Sequence, residues 1–334
     1  MTVSETSPAL KRPAKPYTKY VVLYLALTIG SVWALTIFYL AAFDFAVATL
    51  GELHLRNPIV VVILHSPMIA AFLVFFLYDG FRGLGNFFRT LVPRKKDLLW
   101  IPALLALMFG YIFAIRYLCI LFGIEVPAET ETPLEMVLTF LELFYAEVGM
   151  VAIAIGWFGF FLPFMHRVTG KRVLAGVYTG LGIAVFVAPG NVFASFDLAI
   201  AWPLYAAQLC VLCIGMSFLL NRMKGNVLFF LLPFWASASG SAMKLYLFAI
   251  PTQFVQLTVF AILTLVLVLV LKRQSPTGEL DAPFTFPDYL ERDYTLKAGA
   301  VFPGVGNKSK ETSKSTVDAP EEPQLAAARQ GDDG

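Results

Sequence analysis

Residues 58–96 read PIVVVILHSPMIAAFLVFFLYDGFRGLGNFFRTLVPRKK. The stretch through Tyr78 holds no Asp, Glu, Lys or Arg, and the stretch after it holds Arg82, Arg89, Arg94, Lys95 and Lys96. An apolar run of about 20 residues rises about 30 Å as a helix, the thickness of a bilayer's hydrocarbon core. The cations that follow mark where the run leaves the membrane. An apolar span closed by a basic loop is the repeating unit of a multi-pass membrane protein, and the rest of the chain repeats it.

Composition agrees. Of 334 residues, 58% are hydrophobic and 14% charged, and the mean hydropathy is +0.73. Soluble domains carry about 25% charged residues, so a water-soluble globule is excluded. The 25 Lys and Arg nearly balance the 23 Asp and Glu, and a net charge of +2 gives no footprint for nucleic acid. Cys119, Cys210 and Cys213 all lie in apolar runs, which offers neither a disulfide framework nor zinc-finger spacing.

Reading outward from 58–78 predicts an all-α polytopic bundle of about eight spans: 21–43, 58–78, 98–123, 136–165, 173–196, 198–220, 226–250 and 253–271. Loop charges alternate with this count. Lys11, Arg12, Lys15 and Lys19 precede the first span, Arg167, Lys171 and Arg172 follow the fourth, Arg222 and Lys224 follow the sixth, and Lys272 and Arg273 follow the eighth. Of positive residues, the intervening loops carry Arg56 alone, then none in the acidic stretch 125–135, then none near Asp197, then Lys244 at a span end. Under the positive-inside rule both termini are then cytoplasmic. The polar arm 1–19 has no signal-peptide layout, so the first span is expected to stay uncleaved in the cell membrane. The bundle occupies 20–272 and a cytoplasmic tail 273–334, expected to be disordered from about residue 303. The segment 79–96 mixes Phe and Leu with Arg and Lys, which fits an interfacial helix on the cytoplasmic leaflet or an ordinary basic loop.

Three further pieces of sequence belong together. Residues 66–99 read SPMIAAFLVFFLYDGFRGLGNFFRTLVPRKKDLL, 155–163 read IGWFGFFLP, and 221–232 read NRMKGNVLFFLL. Their order resembles that of the CPBP family, which comprises the CAAX proteases and bacteriocin-processing (Abi) intramembrane enzymes; the likeness covers about residues 60–240. The resemblance implies an intramembrane endopeptidase fold. In that family a glutamate pair, an arginine, two histidines and an asparagine gather inside the bundle, where a carboxylate activates water and imidazole or amide groups polarise the carbonyl.

The departures fall on those positions. Ile153 and Ala154 stand at the glutamate pair, and Phe158 at the arginine, while Gly156, Trp157 and Gly159 keep the frame. In the stretch IAVFVAP at 183–189, Val187 stands at a histidine position. In LLPFWASAS, Pro233 or Phe234 takes the other histidine position, and Ser237 or Ala238 the asparagine. The only histidines are His54, His65 and His166. The catalytic set is absent, so no catalytic zinc and no other cofactor is expected.

Among the remaining polar residues, Arg116 and Glu142 sit at matched depths in the third and fourth spans, and an intramembrane charge without a partner is costly. They are expected to form a buried ion pair that fixes helix register. Glu147 lies two turns before Ala154 and could line the same cavity. His65 reads as a hydrogen-bonded core residue, His166 as an interfacial anchor, and Cys210 with Cys213 as packing residues. The leading reading is therefore a non-catalytic membrane scaffold, regulator or immunity-type factor that binds lipid and a transmembrane protein or peptide. An endopeptidase working through a non-standard set that includes Glu147 is the second reading. A small transporter using Arg116 and Glu142 is the third.

Overall fold

Residues 152–166, AIAIGWFGFFLPFMH, are buried without exception. A helix that is apolar on every face has no side to turn to water and packs inside other helices. In the apolar 18-residue core of Val151–Thr169, 83% of the residues are buried, against 17% in that of Ile250–Gln274. The first is the axis of the bundle and the second its lipid-facing wall.

The computed structural model describes residues 17–52, 57–93, 95, 97–128, 132–146, 149–190, 201–223, 225–231, 243, 245–247 and 249–274. Among them are helices and no strand, as an all-α bundle requires. Helix α1 (Tyr17–Leu25) passes through a π turn (Ala26–Gly30) into α2 (Ser31–Ala41), and α3 (Phe43–Leu50) follows. Next come α4 (Pro58–Leu91), α5 (Trp100–Leu121) and α6 (Pro133–Ala146). The axial helix is α7 (Gly149–Ile153), a π segment (Ala154–Phe161) and α8 (Leu162–Thr169). Around it lie α9 (Arg172–Val187), α10 (Trp202–Arg222) and α11 (Ile250–Gln274).

Six helices among the described residues are long and apolar enough to cross a membrane: Lys19–Ala41, Ile59–Tyr78, Asp97–Leu121, Val151–Thr169, Trp202–Leu220 and Ile250–Gln274. Three of the eight expected spans differ. The fourth, expected over 136–165, is α6 followed by a membrane-length helix over Val151–Thr169 alone. Where 173–196 was expected, α9 is a 16-residue helix, and 191–200 lie outside the described residues. The run 226–250 is not one membrane-length helix. It opens with a 3-10 turn, Val227–Phe230, and residues 243, 245–247 and 249 are not helical. Hydropathy alone counted this run as a span, but Pro233, Gly240 and three serines within it weaken any continuous helix. The arm 1–16, the tail from 275, His54, Asp197, and the Ser and Gly run 237–241 also fall outside the described residues.

Helix α4 does not run straight. Gly80 has a φ of +60°, a conformation that costs a glycine little and an L side chain much. In a straight helix Phe75 and Phe87 would stand about 18 Å apart, yet their rings stack at 5.0 Å. The chain doubles back at Gly80, and residues 81–91 form a second arm. One face of that arm is turned inward: Phe87 is fully buried and Leu84 and Leu91 pack against the core. Phe81, Arg82, Phe88 and Arg89 face outward. This is the amphipathic arrangement that the sequence left open for 79–96.

Side-chain caps fix the ends. Asn57 accepts from the Ile59 N–H at 3.0 Å and donates to the Leu50 carbonyl at 2.8 Å, with Pro58 in the first turn of α4. Before α6, Thr132 and Glu135 form a capping box: Glu135 accepts from the Thr132 N–H at 2.7 Å, and Thr132 accepts from the Glu135 N–H at 3.3 Å. The backbone N–H and then the hydroxyl of Thr132 hold the exposed Glu135 carboxyl below the ordinary glutamate value. A depressed carboxylate stabilises above its unfolded pKa and loses that contribution as pH falls through the folded one. Acidification below about pH 4 is therefore expected to fray α6 from its start, seen as faster amide exchange at residues 132–136. Glu135→Gln should remove the pH dependence of that exchange.

Candidate functional site

The three quoted sequence pieces converge on the axial π segment. A Cβ added to Gly156 would lie 2.4 Å from Pro67 Cβ and 2.5 Å from its carbonyl carbon, so the backbones of α4 and the axis touch there. A Cβ on Gly159 would lie 3.0 Å from the Phe87 ring and 3.4 Å from Val227. Glycine at both places is what lets the neighbours in. The Trp157 indole fills the space beneath Gly182 of α9, where a Cβ would meet it at 2.5 Å. It also packs edge-on against Tyr24 at 5.4 Å and Phe161 at 5.1 Å. π-Helical turns are rare and concentrate at functional sites, but this one is built of apolar residues throughout. Ile153, Ala154 and Phe158, at the positions where the resemblance calls for two glutamates and an arginine, are 6%, 0% and 0% exposed. Val187 is half-buried at the end of α9. Glu147, Pro233, Phe234, Ser237 and Ala238 lie outside the described residues.

Arg116 reaches backbone carbonyls on two separate segments. Arg116 is buried on α5 and donates to the carbonyls of Pro127 at 3.1 Å and Leu245 at 2.8 Å. Glu142 is exposed on α6, and no Arg116–Glu142 pair occurs among the contacts of the described residues. Both carbonyl partners belong to non-helical backbone, which leaves their oxygens to be satisfied by other groups. The guanidinium does that work on two such segments at once. Matching depth along two spans carries no information on which way each residue faces around its helix.

His65 Nδ1 lies 2.7 Å from the Val61 carbonyl one turn back, a local contact within α4. His166 is buried at the end of α8. Among the described residues no group of three or more His, Cys, Asp or Glu could hold a metal ion. Cys210 and Cys213 are free thiols in the packed face between α9 and α10. A Cβ on Gly176 would lie 2.6 Å from Ile214 Cα, and one on Gly180 2.5 Å from Cys210 Cα. The pair Gly176 and Gly180 is a small-xxx-small contact of the kind that joins membrane helices through backbone approach.

A second polar site was not anticipated. Gln208 of α10 and Gln253 and Gln256 of α11 are 1%, 0% and 0% exposed. Gln208 Nε2 approaches Gln256 Oε1 at 3.5 Å, and Gln256 Nε2 donates to the Tyr246 hydroxyl at 3.1 Å. Tyr111 of α5 stands beside Gln256 and Tyr246 and stacks on Phe260 at 4.8 Å. The signal in the sequence was there: glutamine inside an apolar run is costly, and Gln253 and Gln256 have the i, i+3 spacing of one helix face. No protein-family model, curated protein or solved structure matches the chain. What the described residues establish is a helical, apolar, multi-pass membrane protein with a packed aromatic axis.

Proposed function

We propose that the chain is a non-catalytic membrane bundle, a degenerate CPBP-like protein that serves as a scaffold or regulator for a transmembrane partner or lipid. One observation carries this reading. The axial positions that the resemblance assigns to the water-activating carboxylates and the arginine hold Ile153, Ala154 and Phe158, packed to near-zero exposure. Hydrolysis of a peptide bond needs a base, a water and a group to receive the oxyanion. Aliphatic and phenyl side chains supply none of these, and close packing excludes the water.

The full chain, reconstituted in lipid nanodiscs, should not hydrolyse prenylated CAAX peptides or transmembrane peptides above the rate of empty nanodiscs. Hydrolysis that Glu147→Gln abolishes would establish the endopeptidase reading and remove this one.

A further inference from the structure

The arm that follows the reversal at Gly80 slants back along the span it came from. Phe81 meets Phe76 at 5.1 Å between ring centroids, and Phe88 meets Phe72 at 5.4 Å. Phe72 lies six residues before Tyr78, where the apolar run Ile59–Tyr78 ends, so Phe88 reaches about 9 Å back from that end. Arg89 follows it, exposed on the outer face. A guanidinium carried to that depth is costly unless an anion meets it or its stem leads it out to the headgroups. The arm, residues 81–91, holds Arg82 and Arg89 and no Asp or Glu.

The same outer face is apolar beside its cations. Phe81 and Phe88 are 81% and 48% exposed, and they continue the side of the span on which Leu73, Phe76 and Leu77 are exposed. Positions 81, 85 and 88 share one helix face, and Arg82 and Arg89 flank Gly85 at three residues before and four after it. A Cβ built on Gly85 has nothing within 4 Å, so the face stands open between the two arginines.

These features define the chemistry of the occupant. Exposed phenyl rings beside two cations, on a face continuous with the lipid-facing wall of the span, match a molecule that carries both acyl chains and a phosphate. A zwitterionic headgroup brings its own ammonium, which repels the arginines; an anionic headgroup brings none. We infer that the outer face of the arm is a binding site for an anionic phospholipid, its phosphate between Arg82 and Arg89 over Gly85 and its chains along Phe81 and Phe88. The site does not rest on the non-catalytic reading, and its failure would leave that reading untouched.

The test is native mass spectrometry of the full chain in detergent, titrated with dioleoyl phosphatidylglycerol or with dioleoyl phosphatidylcholine. Phosphatidylglycerol should be retained at concentrations at least about tenfold lower than phosphatidylcholine, since each arginine contributes about fivefold. Arg82→Gln and Arg89→Gln should each lower that preference about fivefold, with melting temperatures in lipid-free detergent unchanged because both side chains are exposed. Arg89→Lys, which keeps the charge, should retain most of the preference. Lys272→Gln removes an equally exposed cation at the end of α11 and should leave it intact. Excess inorganic phosphate should not displace the lipid. Equal retention of the two lipids would overturn the inference. A loss with Lys272→Gln as large as with Arg89→Gln would make the effect one of overall charge, and the inference falls. It falls equally if inorganic phosphate displaces the lipid, which would mark a soluble-anion site, or if neither lipid is retained, which would leave the face to a protein partner.

Discussion

Gly180→Leu is expected to abolish the folded bundle, and Gly180→Ala to destabilise it by about 1–3 kcal/mol, the usual cost of overpacking a filled interior. Between membrane helices the attraction is mostly van der Waals contact, since lipid tails are as apolar as leucine. It therefore depends on backbone approach, and at Gly180 the approach leaves no space: the missing Cβ would sit 2.5 Å from Cys210 Cα and 2.6 Å from its nitrogen. These are backbone atoms, which cannot swing aside as the end of a side chain can. Gly176 meets Ile214 in the same way, and Gly156 meets Pro67, so alanine there should cost a comparable amount. Gly110 is the control. It lies on the exposed side of α5 with nothing within 4 Å of a built Cβ, and Gly110→Ala should be neutral or stabilising by up to about 1 kcal/mol through helix propensity. Thermal unfolding in detergent, followed by tryptophan fluorescence, measures all of these. Equal melting temperatures for Gly180→Ala and Gly110→Ala would refute the close-contact account.

Arg116→Met is expected to cost about 3–5 kcal/mol, whereas Glu142→Gln should change stability by less than about 0.5 kcal/mol. Methionine keeps most of the arginine stem's volume, so the loss isolates the guanidinium. Without it the carbonyls of Pro127 and Leu245 lose a charged donor at 3.1 and 2.8 Å, the first in a half-buried non-helical segment and the second in a buried one. An unpaired buried carbonyl costs about 1–3 kcal/mol. An ion pair between Arg116 and Glu142 makes a different prediction, namely that the double variant recovers part of the single loss. Here the two changes should add within about 0.5 kcal/mol. Recovery in the double variant would restore the ion pair and displace the carbonyl strap.

What the sequence conveyed and what it did not follow from the physics of each signal. Hydropathy is summed along the chain, so runs such as 58–78 and 253–271 were legible, and so was the charge arrangement between them. It does not register a backbone break, so 226–250 was counted as a span although residues 245–247 are not helical. Nor does it register a reversal inside a helix. Gly80 looks like any glycine in DGFRG, and only its +60° φ reveals the second arm. The packing role of Cys210 and Cys213 was readable because an apolar helix with no other ligands leaves a thiol little else to do. The spacing of Gly176 and Gly180 was equally available and went unused. For the amide cluster, the sequence identified none of the partners, because Gln208, Tyr246 and Gln256 meet only when three separate stretches fold together.

The reversal at Gly80 also ties the lipid outside to the packing inside. Phe87, wedged between Phe75 and Gly159, shares a short arm with the exposed Arg82 and Arg89. Anionic headgroups attract each such cation by about 1 kcal/mol, and a helical arm transmits that pull to every residue it carries. On that geometry the melting temperature of the bundle is expected to rise with the anionic-lipid content of the bilayer, and Arg82→Gln with Arg89→Gln should remove the dependence.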